Sequence, residues 1–266
     1  MVTDGSPDFL LRSSSRARVN AKTFELVRYR SECGSGDDDR KALGDYSLLE
    51  SVKKKQLRRG LLIAIEGIDG AGKTTQANLL AQELGKNGYS VLSLHEPTNG
   101  KWGQKIKDLA NNGRHRTSPE DETELFYQDR WEDVKNNIKP ALDEKKVIVM
   151  DRYYFSNVAY QSERGLDPQL IEKKNAAIAP VPDITIILDL EPEVSLKRII
   201  HKRNGTPNHF EKKEKLEIIR QAFLKFRDRS NVYIIDGDDN RPIGDVSNSV
   251  WKIVEPKLKE IEQRKP

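Results

Sequence analysis

Cysteine is almost absent. Cys33 stands alone among 266 residues, which excludes an intrachain disulfide and a multi-cysteine zinc site and makes a reducing compartment the default. Long apolar runs are missing too: none approaches the roughly 20 residues that span a bilayer, and nothing near the N-terminus has a secretory apolar core. A basic body is also lacking once the charge is located. The formal charge of +4 belongs to residues 1–59, which hold 13 Lys and Arg against 9 Asp and Glu, whereas residues 60–266 hold 33 of each. The body therefore makes no electrostatic case for a nucleic-acid partner. Residues 1–59 are poor in apolar side chains and carry Ser13-Ser14-Ser15, Gly34-Ser35-Gly36, Asp37-Asp38-Asp39 and Lys53-Lys54-Lys55, a composition that predicts a disordered extension. Its arginines and serines suit an organelle transit peptide, which Asp4, Asp8 and Glu25 oppose. The expected location is the cytoplasm.

From Gly60 onward, short apolar runs alternate with helical patterns. This predicts one α/β domain over 60–266, with a five-stranded, mostly parallel sheet and helices on both faces. The expected strands are 61–66, 90–94, 146–150, 183–189 and 231–235. Open parallel sheets bind ligands beyond the carboxyl ends of their strands. Those ends carry a glycine loop, Glu96-Pro97-Thr98, Asp151-Arg152, Asp189 and Asp236.

The glycine loop, Gly67 to Thr74, reads G-I-D-G-A-G-K-T and fits G-x-x-x-x-G-K-[ST]. An apolar strand precedes it, and a helix with Ala77, Leu80, Ala81 and Leu84 on one face follows, which is the context that makes the motif a site. Gly67, Gly70 and Gly72 let the backbone curl so that the N–H groups of Ile68, Asp69, Ala71, Lys73, Thr74 and Thr75 surround an anion at a helix N-terminus. A nucleoside triphosphate fits there, with Lys73 on the outer phosphates and the Thr74 hydroxyl on a bridging magnesium.

Asp151 at a strand end beside this loop is placed to hold magnesium, and Arg152 to bridge phosphates; the plainer alternative is a helix N-cap with an exposed arginine. Asn157 and Tyr160 are three apart and share a helix face. Phe126 and Arg130, four apart in a helical pattern from about Pro119 to Glu144, set a flat ring beside a planar donor fork, which suits a stacked heterocycle; alone, Phe126 reads more readily as core. Residues 198–213 string Arg198, Lys202, Arg203, Lys212 and Lys213 around Gly205-Thr206-Pro207, as a closing lid would or as a solvated helix end would.

The loop E-G-I-D-G-A-G-K-T-T, the segments L-F-Y-Q-D-R and D-R-Y-Y-F-S-N-V-A-Y-Q, and the strand P-D-I-T-I-I-L-D-L resemble thymidylate kinases in order and spacing, over roughly three quarters of the chain. The resemblance implies a P-loop nucleoside monophosphate kinase fold with a mobile lid, ATP as donor, dTMP as acceptor, magnesium, and a homodimer. It makes Phe126 the ring stacked on thymine, Arg130 and Asn157 contacts to the base, and Arg152 the contact to the acceptor phosphate. Tyr160 would crowd the position of a ribose 2'-hydroxyl, Asp69 would approach the sugar or the reacting phosphates, and Arg198 and Arg203 would be lid cations. Two departures stand out. Many relatives carry an arginine before Glu-Pro where this chain has His95, with Lys101 as a candidate substitute; some place an arginine in the loop where this chain has Gly70. Two rival functions remain: a deoxynucleoside kinase using Glu96 as base, and a nucleotide-binding regulatory module without turnover.

Overall fold

The computed structural model describes residues 54–112, 117–203, 212–237 and 241–262. Five strands form one sheet: β1 (Leu61–Glu66), β2 (Val91–His95), β3 (Val147–Asp151), β4 (Ile184–Asp189) and β5 (Val232–Asp236). Their order is β2-β3-β1-β4-β5, with every pairing parallel. Each strand lies within one residue of its expected span. The three inner strands read LLIAIE, VIVMD and ITIILD and are buried almost throughout, as strands covered on both faces must be. The edge strands β2 and β5 are only partly covered.

β1 lies in the middle, with β3 on one side and β4 on the other. The chain builds the β2-β3 side first and then crosses to β4 and β5. The change of direction opens a crevice at the carboxyl end of β1, where a ligand site forms in such sheets.

The helices are α1 (Lys73–Lys86), α2 (Lys101–Asn112), α3 (Pro119–Asp133), α4 (Lys139–Asp143), α5 (Tyr154–Glu163), α6 (Pro168–Ala176), α7 (Pro192–Arg203), α8 (Lys213–Leu224) and α9 (Ile243–Ile261). Ser118 caps α3, its Oγ accepting from Asp121 N–H at 3.0 Å, with Pro119 in the first turn, where its missing N–H is harmless. The long helical pattern expected from Pro119 to Glu144 is present but not uniform: Val134–Ile138 forms a π-helical turn between α3 and α4. Pro140 has no N–H, and its ring clashes with the carbonyl four residues back, so the turn before it widens.

The N-terminal boundary falls earlier than composition suggested. Leu57 is 3% exposed and bridges Glu262. Lys55 N–H donates to Gly88 O at 2.9 Å, Arg58 N–H to Ile261 O at 2.8 Å, and Arg59 pairs with Asp183 at 2.7 Å. Residues 55–59 therefore belong to the folded body, although basic residues surround the one leucine that anchors them. The expected disorder of the preceding residues lies outside the described set. So do residues 204–211 of the expected lid and the side chains of Lys202 and Arg203. At the far end of that segment, Lys213 opens α8 and pairs with Glu193 at 2.5 Å.

Candidate active site

The crevice holds a cavity of about 590 Å³ lined by the loop from Asp69 to Thr75, with Asp151, Arg152 and Arg198. Gly67 and Ile68 are buried beneath it. Gly67, Gly70 and Gly72 adopt φ of 138, 77 and 92°, the region L side chains avoid. Two of them also have no room: a Cβ at Gly67 would lie 2.5 Å from Leu188 O, and one at Gly70 would lie 2.9 Å from Ser195 O. Lys73 is 6% exposed and donates to Ile68 O at 2.6 Å. Burial, and after it the nearby Arg152, lowers its ammonium to about 8. The Thr74 hydroxyl donates to Asp151 Oδ2 at 2.5 Å. A hydroxyl and a carboxylate converging beside a phosphate loop are hard oxygen donors, the set that suits magnesium, which takes few protein ligands and completes its shell with phosphates and water. Arg198, on α7, donates to Gly70 O at 3.4 Å and Gly237 O at 3.0 Å.

Arg152 follows β3 with φ of 69°, an uncommon conformation for a residue with a side chain. Its guanidinium pairs with Asp69 and donates to Ser156 Oγ at 3.2 Å and Tyr160 Oη at 3.4 Å. The Tyr160 hydroxyl donates to Asp69 Oδ2 at 3.0 Å, and burial raises its pKa far enough to keep it protonated. What holds this arrangement is Glu66, the last residue of β1 and fully buried. Glu66 Oε1 accepts from Tyr153 N–H at 2.8 Å and Ser156 N–H at 3.2 Å, and its Oε2 accepts from Ser156 Oγ at 2.5 Å. The N-cap residue of α5, Tyr153, offers no side-chain acceptor, so a carboxylate from the neighbouring strand caps the helix instead. Burial pushes Glu66 up to about 7, against the pull of Ser156, Arg152 and Tyr153.

A second cavity of about 190 Å³ lies beside the first, and Asp69 and Arg152 line both. Phe126, Arg130, Asn157 and Tyr160 line the second, so four residues singled out in the sequence converge on one space. Arg130 is 1% exposed. Its Nε donates to Glu96 Oε1 at 3.0 Å, its Nη2 pairs with Glu96 Oε2, and its Nη1 donates to Asn175 Oδ1 and to Asn157 Oδ1 at 3.5 Å. Burial pushes the Glu96 carboxyl up, with Arg130 opposing. Asp129 accepts from the Thr98 N–H at 2.8 Å and hydroxyl at 2.5 Å, fixing the loop after β2.

Several contributors have no motif. Lys107, not Lys101, lines the second cavity, where it donates to Asn99 Oδ1 at 2.7 Å; Lys101 is exposed, its ammonium 4.8 Å from the Trp102 ring centre. The sequence drew attention to the lysine nearest Pro97, whereas α2 carries the chain onward and returns a later turn to the cavity. Gln161 also lines it, and the signal was available: it lies four residues from Asn157, on the same face. Asn157 Nδ2 and Gln161 Oε1 are buried with no hydrogen-bond partner among the described residues. The opposite end of each amide is engaged: Asn157 Oδ1 accepts from Arg130 and Asn175, and Gln161 Nε2 donates to Glu122 Oε1. Two residues that line the cavity thus each keep one amide end, a donor on Asn157 and an acceptor on Gln161, that no described residue engages. Arg241, on the far wall of the first cavity, was likewise unmarked.

The family model described as Thymidylate kinase matches residues 65–250. A probable thymidylate kinase of Archaeoglobus fulgidus is 47% identical over 195 residues, covering 73% of this chain and 95% of that protein. A thymidylate kinase of Xanthomonas euvesicatoria pv. vesicatoria is 45% identical over 177 residues, 66% of this chain and 76% of the relative. One from Xylella fastidiosa strain M12 is 44% identical over 165 residues, 62% and 74% respectively. A match of this extent, over a parallel sheet whose crevice carries the phosphate loop, shows that the chain belongs to the thymidylate kinase family.

Proposed function

We propose that the chain phosphorylates dTMP to dTDP with ATP as donor. The observation that carries this reading is the paired cavities sharing Asp69 and Arg152. One is lined by a triphosphate loop; the other is small, and its free Asn157 donor and Gln161 acceptor complement the carbonyl and adjacent N–H of a thymine edge. Phe126 supplies the stacking surface and Arg130 the carbonyl contact. Arg152, with Lys107, receives the acceptor phosphate, and the Tyr160 ring fills the space of a 2'-hydroxyl. Lys73 exchanges its bond to Ile68 O for the outer phosphates of the donor.

In the transfer, an oxygen of the dTMP phosphate attacks the γ-phosphorus in line. The bond to the β–γ bridging oxygen breaks, and ADP leaves. Lys73, Arg152 and Arg198 with the other lid cations, Arg203 among them, offset charge on the transferring group. Thr74 and Asp151 would hold the magnesium, which neutralises phosphate charge when bound. Glu96 is held at both oxygens by Arg130, an arrangement that suits an orienting carboxylate better than a base for a sugar hydroxyl. This favours a monophosphate acceptor over a nucleoside. We further propose a cytoplasmic homodimer with no nucleic-acid partner, consistent with the balanced charge of residues 60–266. Among the described residues, no helix is long and apolar enough to cross a membrane.

The test is a panel of nucleosides and monophosphates assayed with the full chain, ATP and magnesium. Turnover of dTMP with none of thymidine is expected. Faster turnover of thymidine, or ATP binding with no turnover of any monophosphate, refutes the proposal.

A further inference from the structure

Gln161 is a residue of the second cavity whose orientation is set from outside. Its amide could face the cavity with either end, and the two choices are chemically opposite. In the structure its Nε2 donates to Glu122 Oε1 at 3.2 Å. Glu122, in the first turn of α3, is 2% exposed, and Gln161 is fully buried. Arg164, just beyond α5, pairs with Glu122 Oε2 and donates its other arm to Thr117 O at 2.9 Å. A carboxylate between an arginine and an amide can only accept. The Gln161 nitrogen is therefore drawn to Glu122, and its oxygen, on a residue that lines the cavity, is left without a partner among the described residues.

We propose that Glu122 is a positioning residue for base selection: by fixing the Gln161 amide it makes the cavity present an acceptor to the ring nitrogen of the base. Thymine and uracil carry a hydrogen at that nitrogen and satisfy the acceptor. Cytosine carries a lone pair there and would leave two acceptors facing each other, both buried. A site built to bond a substrate N–H discriminates strongly against an analogue without it, because its own polar group is then stranded. Glu122 does not line the cavity and reaches it through Gln161, which does. The inference rests on the reading of this cavity as the base pocket.

The experiment compares kcat/KM for dTMP and dCMP in the full chain and in Glu122→Gln, where the new amide can donate or accept and no longer dictates the Gln161 orientation. The dTMP-over-dCMP ratio is expected to fall at least tenfold, partly through a gain on dCMP. A role in packing alone lowers both values together and leaves the ratio in place, which overturns the proposal. If Glu122→Gln does not fold, Glu122→Asp decides, since it keeps the charge but draws the carboxylate back from the Gln161 amide: an unchanged ratio there overturns the proposal, and a lowered one supports it. Phe126→Ala separates the two layers of argument. A raised KM for dTMP in that variant beside an unchanged ratio in Glu122→Gln overturns the positioning role alone. An unchanged KM in Phe126→Ala overturns the base-pocket reading and the proposal with it.

Discussion

Glu66 gives the sharpest physical test of how the site is built. Its carboxyl is fully buried and raised from 4.5 to about 7, so the folded chain holds a proton that the unfolded chain has already released. Between those two values the native state binds more protons, and unfolding free energy falls as pH rises. A displacement of this size corresponds to about 3 kcal/mol. The stabilising condition is the protonated one, present below about 4.5 and lost as pH climbs through 7. Glu66→Gln should abolish this slope while keeping the cap. The amide oxygen still accepts from Tyr153 N–H and Ser156 N–H, and the amide nitrogen can donate to Ser156 Oγ. We expect urea-denaturation free energies of variant and wild type to agree near pH 4 and to separate by up to about 3 kcal/mol at pH 8, with the variant the more stable. Taking the difference removes Glu96, which is present in both proteins. Measurements belong in EDTA, so that no metal bound at Asp151 contributes. Parallel profiles from pH 5 to pH 8 would refute the argument that burial outweighs the three hydrogen bonds at this carboxylate.

Lys73→Ala should lower kcat by orders of magnitude while ATP still binds measurably by calorimetry, because the ammonium matters more to the transferring phosphoryl than to the ground state; wild-type turnover would remove Lys73 from the mechanism. Tyr160→Ala should narrow the preference for dTMP over its ribonucleotide counterpart by about ten- to a hundredfold, the equivalent of burying an unpaired hydroxyl. It also removes the hydroxyl that donates to Asp69 Oδ2; an unchanged kcat/KM ratio would mark the ring as packing only. A chain beginning at Lys54 should match the full chain in activity and melting behaviour, whereas one beginning at Gly60 should lose about 1.5 to 3 kcal/mol by removing the buried Leu57. Equal stabilities would show that the Leu57–Glu262 bridge is dispensable.

What was legible in the sequence follows from periodicity. β1, β3 and β4 announce themselves because a strand buried on both faces must be apolar along its length. Phe126 with Arg130, and Asn157 with Tyr160, could be paired because one helix turn separates them. The unread residues are polar groups that meet across distant segments. Glu122 and Gln161 are 39 positions apart, and nothing in the spacing of either predicts the bond. Glu66 was concealed inside a correctly drawn strand, where its charge at the buried end was the only sign. Leu57 failed for the opposite reason: one apolar anchor among lysines and arginines does not register in a composition.

The packing beneath Gly70 carries a consequence for substitution. A loop cation at position 70, which the resemblance to thymidylate kinases suggests for some relatives, is closed to this chain by a single replacement. A side chain at position 70 would meet Ser195 O at 2.9 Å from a backbone at φ 77°, while Ser195 Oγ holds the neighbouring Asp69 carbonyl at 2.5 Å. Gly70→Arg must first displace the start of α7, the helix that presents Arg198. Gaining one cation would unseat the other. An arginine at position 70 therefore requires the loop and the start of α7 to change together.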